Sequence, residues 1–339
     1  MIFVMHWKGA RTIRRDLYVF SNGRLQRKDN TLYVVPEEGK KRPVPIEQVE
    51  SVHLFGQIDL NSSLFSFSGQ KEVMLHFYNY YGFYTGTFYP REQKVSGSVT
   101  VKQSESYLDK PERLFLAKNF VQSAAFHMVR TCRKRKQMDL SYVQEIINLN
   151  KETENVRDIH HLMGLEGMMR RNYYRALNEM IPEAFMFTER TKRPPQDPFN
   201  ALMSFGNSLM YTAVLSEVYK TQLNPTISYL HEPSQKRFSL CLDLAEIFKP
   251  LLIDPLLLTL VNTKKIQDKH FENHSGMVYL SEQGRKIVIA AFEDSLKRTV
   301  YHRKLKRSTS YRYLIRLECY KLIKHVIGDT EYVPLKAWW

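Results

Sequence analysis

The stretches Phe83-Tyr-Thr-Gly-Thr-Phe-Tyr89 and Phe120-Val-Gln-Ser-Ala-Ala-Phe-His-Met128 have different hydrophobic periods, and this difference decides the fold. The first is short and rich in aromatic and β-branched residues, as expected of a strand. In the second, Val121, Ala124 and Met128 recur on one face at helical spacing. The chain therefore changes from β to α structure between the two stretches.

Four segments upstream also have the composition of strands: Leu17–Phe20, Thr31–Val35, Ser51–Phe55 and Glu72–Tyr78. Clusters of Gly, Asn, Asp and Pro separate them, as in turns. Several short strands at this spacing predict a small all-β unit, so we expect a β-sandwich over residues 1–90.

The region that follows predicts a second, helical unit. Residues 91–110 are polar with little apolar periodicity and are predicted to form a linker. Residues 111–328 are predicted to be helical, and residues 329–339 form a tail that either docks or is disordered. The fold class is therefore α+β with two domains, an N-terminal β-sandwich and a larger all-α C-terminal domain. Further helical segments are predicted at 140–149, 154–181, 199–221, 241–249, 284–302 and 310–327.

The charge of the chain favours a polyanionic partner. Fifty Lys and Arg face 35 Asp and Glu, a formal net charge of +15. Residues 1–95 contain 13 of the cations and 9 of the acids, so most of the excess lies in the helical part. Nucleic acid is the partner that such a balance favours, although a basic surface can also serve solubility alone.

Other features narrow the class of protein. No apolar run of about 18 residues is present, so we expect no membrane contact, and the first residues do not have the pattern of a signal peptide. The three cysteines are far apart in sequence, which predicts reduced thiols in a cytoplasmic protein. Walker A, dinucleotide-binding and nucleophile-elbow motifs are missing, which disfavours nucleotide hydrolysis and serine-type acyl transfer.

A first group of candidate residues surrounds Glu166. Gly164 and Gly167 flank it within a predicted helix, although glycine costs about 1 kcal/mol there relative to Ala. Such glycines are expected where another backbone or a ligand comes close. Arg170 lies one turn further along the same face, so the alternative for Glu166 is an ordinary surface salt bridge.

Two further places supply usable groups. His231 lies in a predicted loop and is followed by the basic pair Lys236 and Arg237. Asp243 and Glu246 are three residues apart on one helical face among apolar neighbours, where two carboxylates are costly without a cation. The alternatives are an ordinary loop histidine and acids that favour a helix N-terminus.

Together, Glu166, His231 and Glu246 predict a metal site. Two carboxylates and one imidazole, with Asp243 in support, suit Mg²⁺ or Mn²⁺ and suit structural zinc poorly. In a basic domain, a hard cation indicates phosphodiester chemistry. Arg170, Lys236 and Arg237 are candidates for phosphate contacts, and solvated surface charge is their alternative role.

The order of several segments along nearly the whole chain is distinctive. They are Ser21–Asn30, His53–Arg91, Gly164–Gly167, Pro194–Leu209, the His231 loop, Asp243–Glu246 and Leu280–Arg285. This order resembles the Cas1 family, the CRISPR-associated integrases of spacer acquisition. The N-terminal part is most similar to members of type I-B systems.

The resemblance implies a function and partners. Family members are metal-dependent DNA endonucleases and integrases whose ligands match Glu166, His231 and Glu246, while Asp243 matches an assisting acid. They insert new spacer DNA at the repeat when the 3′-hydroxyl of a fragment attacks a phosphodiester. The implied partners are prespacer fragments, CRISPR repeat–leader DNA, a second copy bound through the β domain, and a Cas2 dimer. A general metal-dependent DNA nuclease and a non-catalytic DNA-binding scaffold are the alternatives.

Overall fold

The structure is a computed structural model, and it divides into two units. It describes residues 2–3, 14–92, 94–133, 140–233 and 238–339. The first unit comprises Met1–Gln93 and Tyr279–Lys286, and the second comprises Lys94–Val278 and Ile287–Trp339.

The first unit contains two β-sheets and one helix. Its elements are β1 (Ile2–Phe3), β2 (Arg15–Val19), β3 (Gly23–Lys28), β4 (Thr31–Pro36), β5 (Arg42–Pro45), β6 (Val49–Leu54), β7 (Ile58–Asp59), α1 (Ser62–Gln70), β8 (Met74–Tyr78) and β9 (Tyr84–Phe88). One sheet has the order β1-β2-β6-β8-β9, with parallel pairs at its centre, and the other has the order β5-β4-β3-β7.

Both sheets contribute to one hydrophobic core. Val19 and Val52 from the first sheet pack in the same buried cluster as Leu25 and Val34 from the second. Phe67 of α1 belongs to this cluster as well. The predicted N-terminal β-sandwich is therefore confirmed.

Five elements of this unit were not predicted, namely β1, β3, β5, β7 and α1, and the reason is clear for β3 and α1. Strand β3 buries only Leu25 and exposes Arg24, Arg27 and Lys28, so it lacks the apolar alternation that marks a strand. Helix α1 is rich in serine, which competes with helical hydrogen bonding. Its start is fixed by Asn61, whose side chain accepts a 3.0 Å hydrogen bond from Leu64 N–H.

The second unit is predominantly helical. Its helices are α2 (Gly97–Leu108), α3 (Lys110–Cys132), α4 (Leu140–Glu152), α5 (Ile159–Asn178), α6 (Pro198–Val218), α7 (Ser239–Phe248), α8 (Asp254–Asn262), α9 (Glu282–Lys297, which begins in the first unit) and α10 (Tyr311–Val326). Apolar residues of α3, α4 and α5 form one buried cluster, in which Val121, Ala124 and Met128 lie as their spacing predicts. The α+β fold with a helical C-terminal part is thus confirmed.

Three details differ from the prediction for this part. Two antiparallel hairpins, β10 (Phe271–His274) with β11 (Met277–Leu280) and β12 (Thr299–His302) with β13 (Arg307–Ser310), interrupt the all-α pattern. The helix predicted over 284–302 ends at Lys297, because the chain turns into β12. Helix α8 follows a π-helical turn that begins at Lys249 and was not predicted.

The predicted linker at 91–110 is wrong for most of its length, because α2 occupies it. The buried face of α2 is partly polar and includes Val99, Gln103 and Ser106, which explains the missing apolar period. The Gln103 amide donates to the Asn224 carbonyl at 3.3 Å and accepts from Asn224 N–H at 2.8 Å. A buried face held by side-chain hydrogen bonds is not visible as hydrophobic periodicity.

The C-terminal tail docks on its own unit. Tyr332 is 1% exposed, and its hydroxyl donates a 2.5 Å hydrogen bond to the buried Glu318. Leu335 N–H donates to the same carboxylate at 3.1 Å, and Ala337 N–H donates to His127 Nε2 at 3.0 Å.

Among the helices of the described ranges, none is both long and apolar enough to cross a membrane.

Loss of the Tyr332 side chain should destabilise the helical unit. Truncating a buried aromatic residue costs about 3–5 kcal/mol, so Tyr332→Ala should lower the urea midpoint clearly. Val333→Ala is the control, because Val333 is 60% exposed and surface changes usually stay within about 0.5 kcal/mol. Equal midpoints for the two variants would contradict a docked tail.

Candidate active site

Glu166 lies on the flank of α5. The helix starts at Asp158, whose side chain accepts a 2.8 Å hydrogen bond from His161 N–H. Its buried face packs in the core through Leu162, Leu165, Met169 and Tyr173. Glu166 lies beside that face with its side chain 22% exposed, so the carboxylate is held at the edge of the core.

The glycines beside Glu166 do not make room for another backbone. A Cβ atom added at Gly164 or Gly167 would meet no heavy atom within 4 Å outside the helix's own backbone, among the residues described. The expected close backbone approach is therefore wrong for this part of the chain. The space beside Glu166 is open instead, and access for a ligand stays a prediction.

Asp243 holds the loop that carries His231. One oxygen of its fully buried carboxylate accepts hydrogen bonds from the N–H groups of Tyr229 at 2.7 Å and Leu230 at 2.9 Å. The other oxygen accepts from His231 N–H at 3.0 Å and lies 2.7 Å from His231 Nδ1. This contact fixes the imidazole ring, whose Nε2 atom has no hydrogen-bond partner in the described part of the chain.

Glu246 lies one turn after Asp243 on α7 and is 7% exposed. The end of α7 is tied to α3, because His127 Nδ1 donates to the Ile247 carbonyl at 3.0 Å and Thr131 Oγ1 donates to the Pro250 carbonyl at 2.9 Å. Burial lowers the pKa of His127 to about 3, so the ring is neutral and its Nε2 can accept from the tail. The carboxylate of Glu246 is thereby placed by a rigid pair of helices.

Two cations bind the carboxylates of Glu166 and Glu246. Arg170 forms ion pairs with both, through Nε to Glu166 and Nη2 to Glu246. Lys249 Nζ lies 2.6 Å from Glu246 Oε1. The contact between Arg170 Nη2 and Glu246 Oε2 lacks hydrogen-bond geometry, so both buried atoms have no hydrogen-bond partner among the described residues.

The protonation of these groups follows from burial and charge. Burial opposes ionisation of Glu166, but Arg170, Lys249 and His231 outweigh it and lower the pKa of the carboxyl. Burial and the nearby Arg170 lower the pKa of Lys249 to about 8.

Further cations near the site were not predicted from the sequence. Arg190 donates to Asn200 Oδ1 at 2.8 Å and to Ser204 Oγ at 3.0 Å on α6. Burial lowers the pKa of Lys192, and the neighbouring Arg190, Lys249 and Arg170 lower it further. These four cations therefore lie close together. Only the i+3 spacing of Lys249 from Glu246 was a sequence signal, and this spacing is common on any helix.

The structure thus brings together most of the residues predicted for the site. Glu166 and Glu246 share Arg170, and His231 rests on Asp243, which lies one turn before Glu246 on α7. Arg170 forms the predicted i,i+4 pair with Glu166, but largely buried rather than on the surface. The predicted phosphate contacts Lys236 and Arg237 lie outside the described residues.

The donor atoms fit a hard divalent cation. Two carboxylates and one imidazole are suitable ligands, and His231 Nε2 lacks a hydrogen-bond partner among the described residues. Over the described ranges, no three His, Cys, Asp or Glu side chains already form a metal-binding cluster. Arg170 occupies the position between the two carboxylates.

Solved structures share this fold. A Cas1 protein from Thermotoga maritima superposes with a TM-score of 0.87 at 40% identity, covering 94% of this chain and 99% of that one. A casposase bound to its integration product has a TM-score of 0.84 at 18% identity, covering 95% of this chain and 93% of its own. A β-sandwich unit and a predominantly helical unit in one chain are the fold that these structures share with this protein.

The family follows from sequence. Residues 17–294 match the family model described as CRISPR associated protein Cas1, and the chain belongs to that family. A CRISPR-associated endonuclease Cas1 of Thermodesulfovibrio yellowstonii is 51% identical, over 96% of this chain and all of the relative. One of Clostridium perfringens is 49% identical, over 96% of this chain and 99% of the relative.

Asp243→Asn should loosen the His231 loop. An amide nitrogen cannot accept the hydrogen bonds that one carboxylate oxygen accepts, and an unsatisfied buried group costs about 1–3 kcal/mol. We expect the amides of Tyr229, Leu230 and His231 to exchange hydrogen on the order of tenfold faster, as measured by hydrogen–deuterium exchange.

Glu232→Gln is the matched control on the same loop. Glu232 is 61% exposed and binds Arg113 and Tyr107, and the contact of Arg113 with the loop, a 2.9 Å hydrogen bond from Nε to the Tyr229 carbonyl, does not involve the loop N–H groups that are measured. In Glu232→Gln, the rate of amide hydrogen exchange at residues 229–231 should equal that of the wild type. Unchanged exchange in Asp243→Asn would show that the carboxylate does not hold the loop.

Proposed function

We propose that this protein is a metal-dependent DNA endonuclease and integrase of CRISPR adaptation. It inserts spacer DNA when a fragment 3′-hydroxyl attacks a phosphodiester at the repeat, and it cuts DNA when water replaces that hydroxyl. The observation that carries the proposal is a pair of carboxylates, Glu166 and Glu246, that share Arg170, together with His231, which Asp243 holds from the helix that carries Glu246. The endonuclease names of similar proteins support it.

Glu166, His231 and Glu246 would hold one Mg²⁺ or Mn²⁺. When bound, such an ion activates the attacking oxygen and stabilises charge that develops on the phosphate. Asp243 keeps the His231 ring oriented through Nδ1, which leaves Nε2 for the ion. The fragment 3′-hydroxyl would attack the phosphodiester directly and displace the 3′-hydroxyl of the repeat strand, so no covalent protein–DNA intermediate is needed.

The cations of the site would orient the DNA. Arg170 and Lys249 neutralise the carboxylates before DNA arrives, and both can transfer their hydrogen bonds to phosphate oxygens. Arg190 is held in place by Asn200 and Ser204, so its guanidinium is positioned in advance. Lys236 and Arg237 remain further candidates for phosphate contacts.

The proposed partners follow from the resemblance and from related assemblies. Chains of a Cas6-RT-Cas1–Cas2 complex and of a partial form of that complex resemble this protein, although their 19% identity shows the fold alone. We propose a homodimer through the β-sandwich and a complex with a Cas2 dimer on prespacer and repeat–leader DNA. The protein would act in the cytoplasm.

His231→Ala should abolish both reactions. The test uses supercoiled repeat-containing plasmid, fragments with free 3′-hydroxyls, and Mn²⁺ or Mg²⁺. Loss of a metal ligand should reduce cutting and joining by about 100-fold or more, and a chelator should do the same to the wild type. His161→Ala is the control, because His161 is exposed on α5.

The outcomes separate the possible functions. Joining that persists in His231→Ala would disprove the metal-site assignment. A wild type that cuts DNA but never joins fragments to the repeat would be a general nuclease. A wild type that binds DNA and does neither would be a scaffold.

Arg170→Gln should increase the response to metal. The ion has to replace Arg170 between the two carboxylates, and removing one partner of a buried ion pair costs about 3–5 kcal/mol. The variant should melt at lower temperature without metal, and Mn²⁺ should raise its melting temperature more than that of the wild type.

Arg171→Gln is the matched control for this measurement. Arg171 is the next residue on α5 and is exposed, so its melting temperature should follow that of the wild type with and without Mn²⁺. An Mn²⁺ shift in Arg170→Gln no larger than in the control would show that Arg170 does not compete with the ion.

A further inference from the structure

The hairpin of β12 and β13 has an unusual concentration of positive charge. Residues 295–317 contain eight Lys and Arg and no Asp or Glu. Four of these cations lie at the turn and just after it, and all four are exposed: Arg303, Lys304, Lys306 and Arg307. In the described part of the chain, none of the four pairs with a carboxylate.

Three of the other four cations in the same segment pair with carboxylates, and the fourth, Arg298, donates a 2.8 Å hydrogen bond to Ser295 Oγ. Arg312 and Lys297 contact Glu293 at 3.2 and 3.7 Å. Arg316 contacts Glu217 at 2.7 Å. Acids outside the segment, Glu293 and Glu217, therefore pair with cations near the base of the hairpin. The positive charge at its tip is not compensated by the residues described. Uncompensated exposed charge attracts a polyanion and contributes little to the fold.

The turn of the hairpin is held by its own contacts. His302 Nδ1 accepts a 3.2 Å hydrogen bond from Leu305 N–H, and Lys306 N–H donates to the Arg303 carbonyl at 3.3 Å. Partial burial lowers the pKa of His302, and Lys321, Lys304 and Arg307 lower it further, which favours the neutral ring that accepts this hydrogen bond. The cations are thus carried on an ordered turn.

Aromatic side chains fix the two arginines without using their charge. The guanidinium of Arg303 lies 3.5 Å from the centre of the Trp338 ring, and that of Arg307 lies 5.5 Å from the Tyr313 ring. Trp338 belongs to the docked tail, and Tyr313 belongs to α10. Stacked guanidinium groups keep their N–H edges free for phosphate oxygens.

We infer that the β12–β13 hairpin is an arm that binds the phosphate backbone of duplex DNA independently of sequence. The inference rests on the proposed DNA function and adds a surface separate from the acids of the active site. A two-stranded ribbon is narrow enough to follow a duplex, since the major groove of about 12 Å admits one. Phosphate contacts of this kind position DNA and supply most of the salt-dependent affinity.

The test measures binding without catalysis. A labelled duplex is titrated with the full-length protein in EDTA, by fluorescence anisotropy, at several salt concentrations. Lys304→Glu/Lys306→Glu should weaken binding roughly tenfold or more at about 0.1 M salt. The slope of log affinity against log salt should become shallower by about 0.9 for each phosphate that the variant no longer neutralises.

Lys264→Glu/Lys265→Glu is the matched control, with the same change in charge at two exposed lysines after α8. Its affinity should remain close to that of the wild type. An equal loss in both double variants would indicate net charge alone and overturn the proposal. Unchanged affinity and slope in Lys304→Glu/Lys306→Glu would overturn it too, and would leave an acidic protein surface as the occupant of the hairpin.

The proposed function fails differently from the hairpin proposal. A wild-type protein that binds no duplex DNA in EDTA would contradict the DNA function as a whole. A wild type that binds DNA, with a hairpin variant that binds equally well, would contradict the hairpin alone.

Discussion

The buried carboxylate of Asp243 is the constraint on which the rest of the active site depends. It gathers three consecutive backbone N–H groups and the imidazole of His231 onto one helix. A buried carboxylate is costly unless its oxygens are satisfied, and here the loop satisfies them. The position of His231 is therefore set by α7, which also carries Glu246, so the two groups cannot move independently.

The remaining acid reaches the site by a different route. Glu166 comes from α5, whose packing in the core is set by its own apolar face and by α3 and α4. Arg170 joins the two helices electrostatically, since it pairs with both Glu166 and Glu246. Breaking such a buried pair is costly, but exchanging one cation for another of higher charge need not be. This arrangement thus pairs both buried carboxylates with one cation, and Arg170 lowers the pKa of the Glu166 carboxyl.

Sequence patterns predicted those parts of the molecule whose apolar residues are periodic. The strand at Thr31–Val35 and the helix around Ala124 were found in this way. Helix α2 was missed because its buried face is held by Gln103, and β3 because it buries only Leu25. Periodicity detects burial of apolar side chains, so polar burial and strands with one buried residue escape it.

For the candidate site, the sequence supplied the identity of the acids and the histidine but not their contacts. Asp243 meets residues 12 to 14 positions earlier in the chain, a separation that no local pattern encodes. Arg190 and Lys192 could not be assigned to the site from sequence, because their position relative to Lys249 depends on the fold.

The positive charges of the helical unit fall into two groups with different proposed roles. In the proposed function, the cations at the acids are already paired, so they would add little net attraction for DNA and would serve to orient it. The cations at the tip of the β12–β13 hairpin pair with no carboxylate in the described part of the chain, so on the proposed DNA surface they would release counterions. Affinity and orientation would then be properties of different parts of the helical unit.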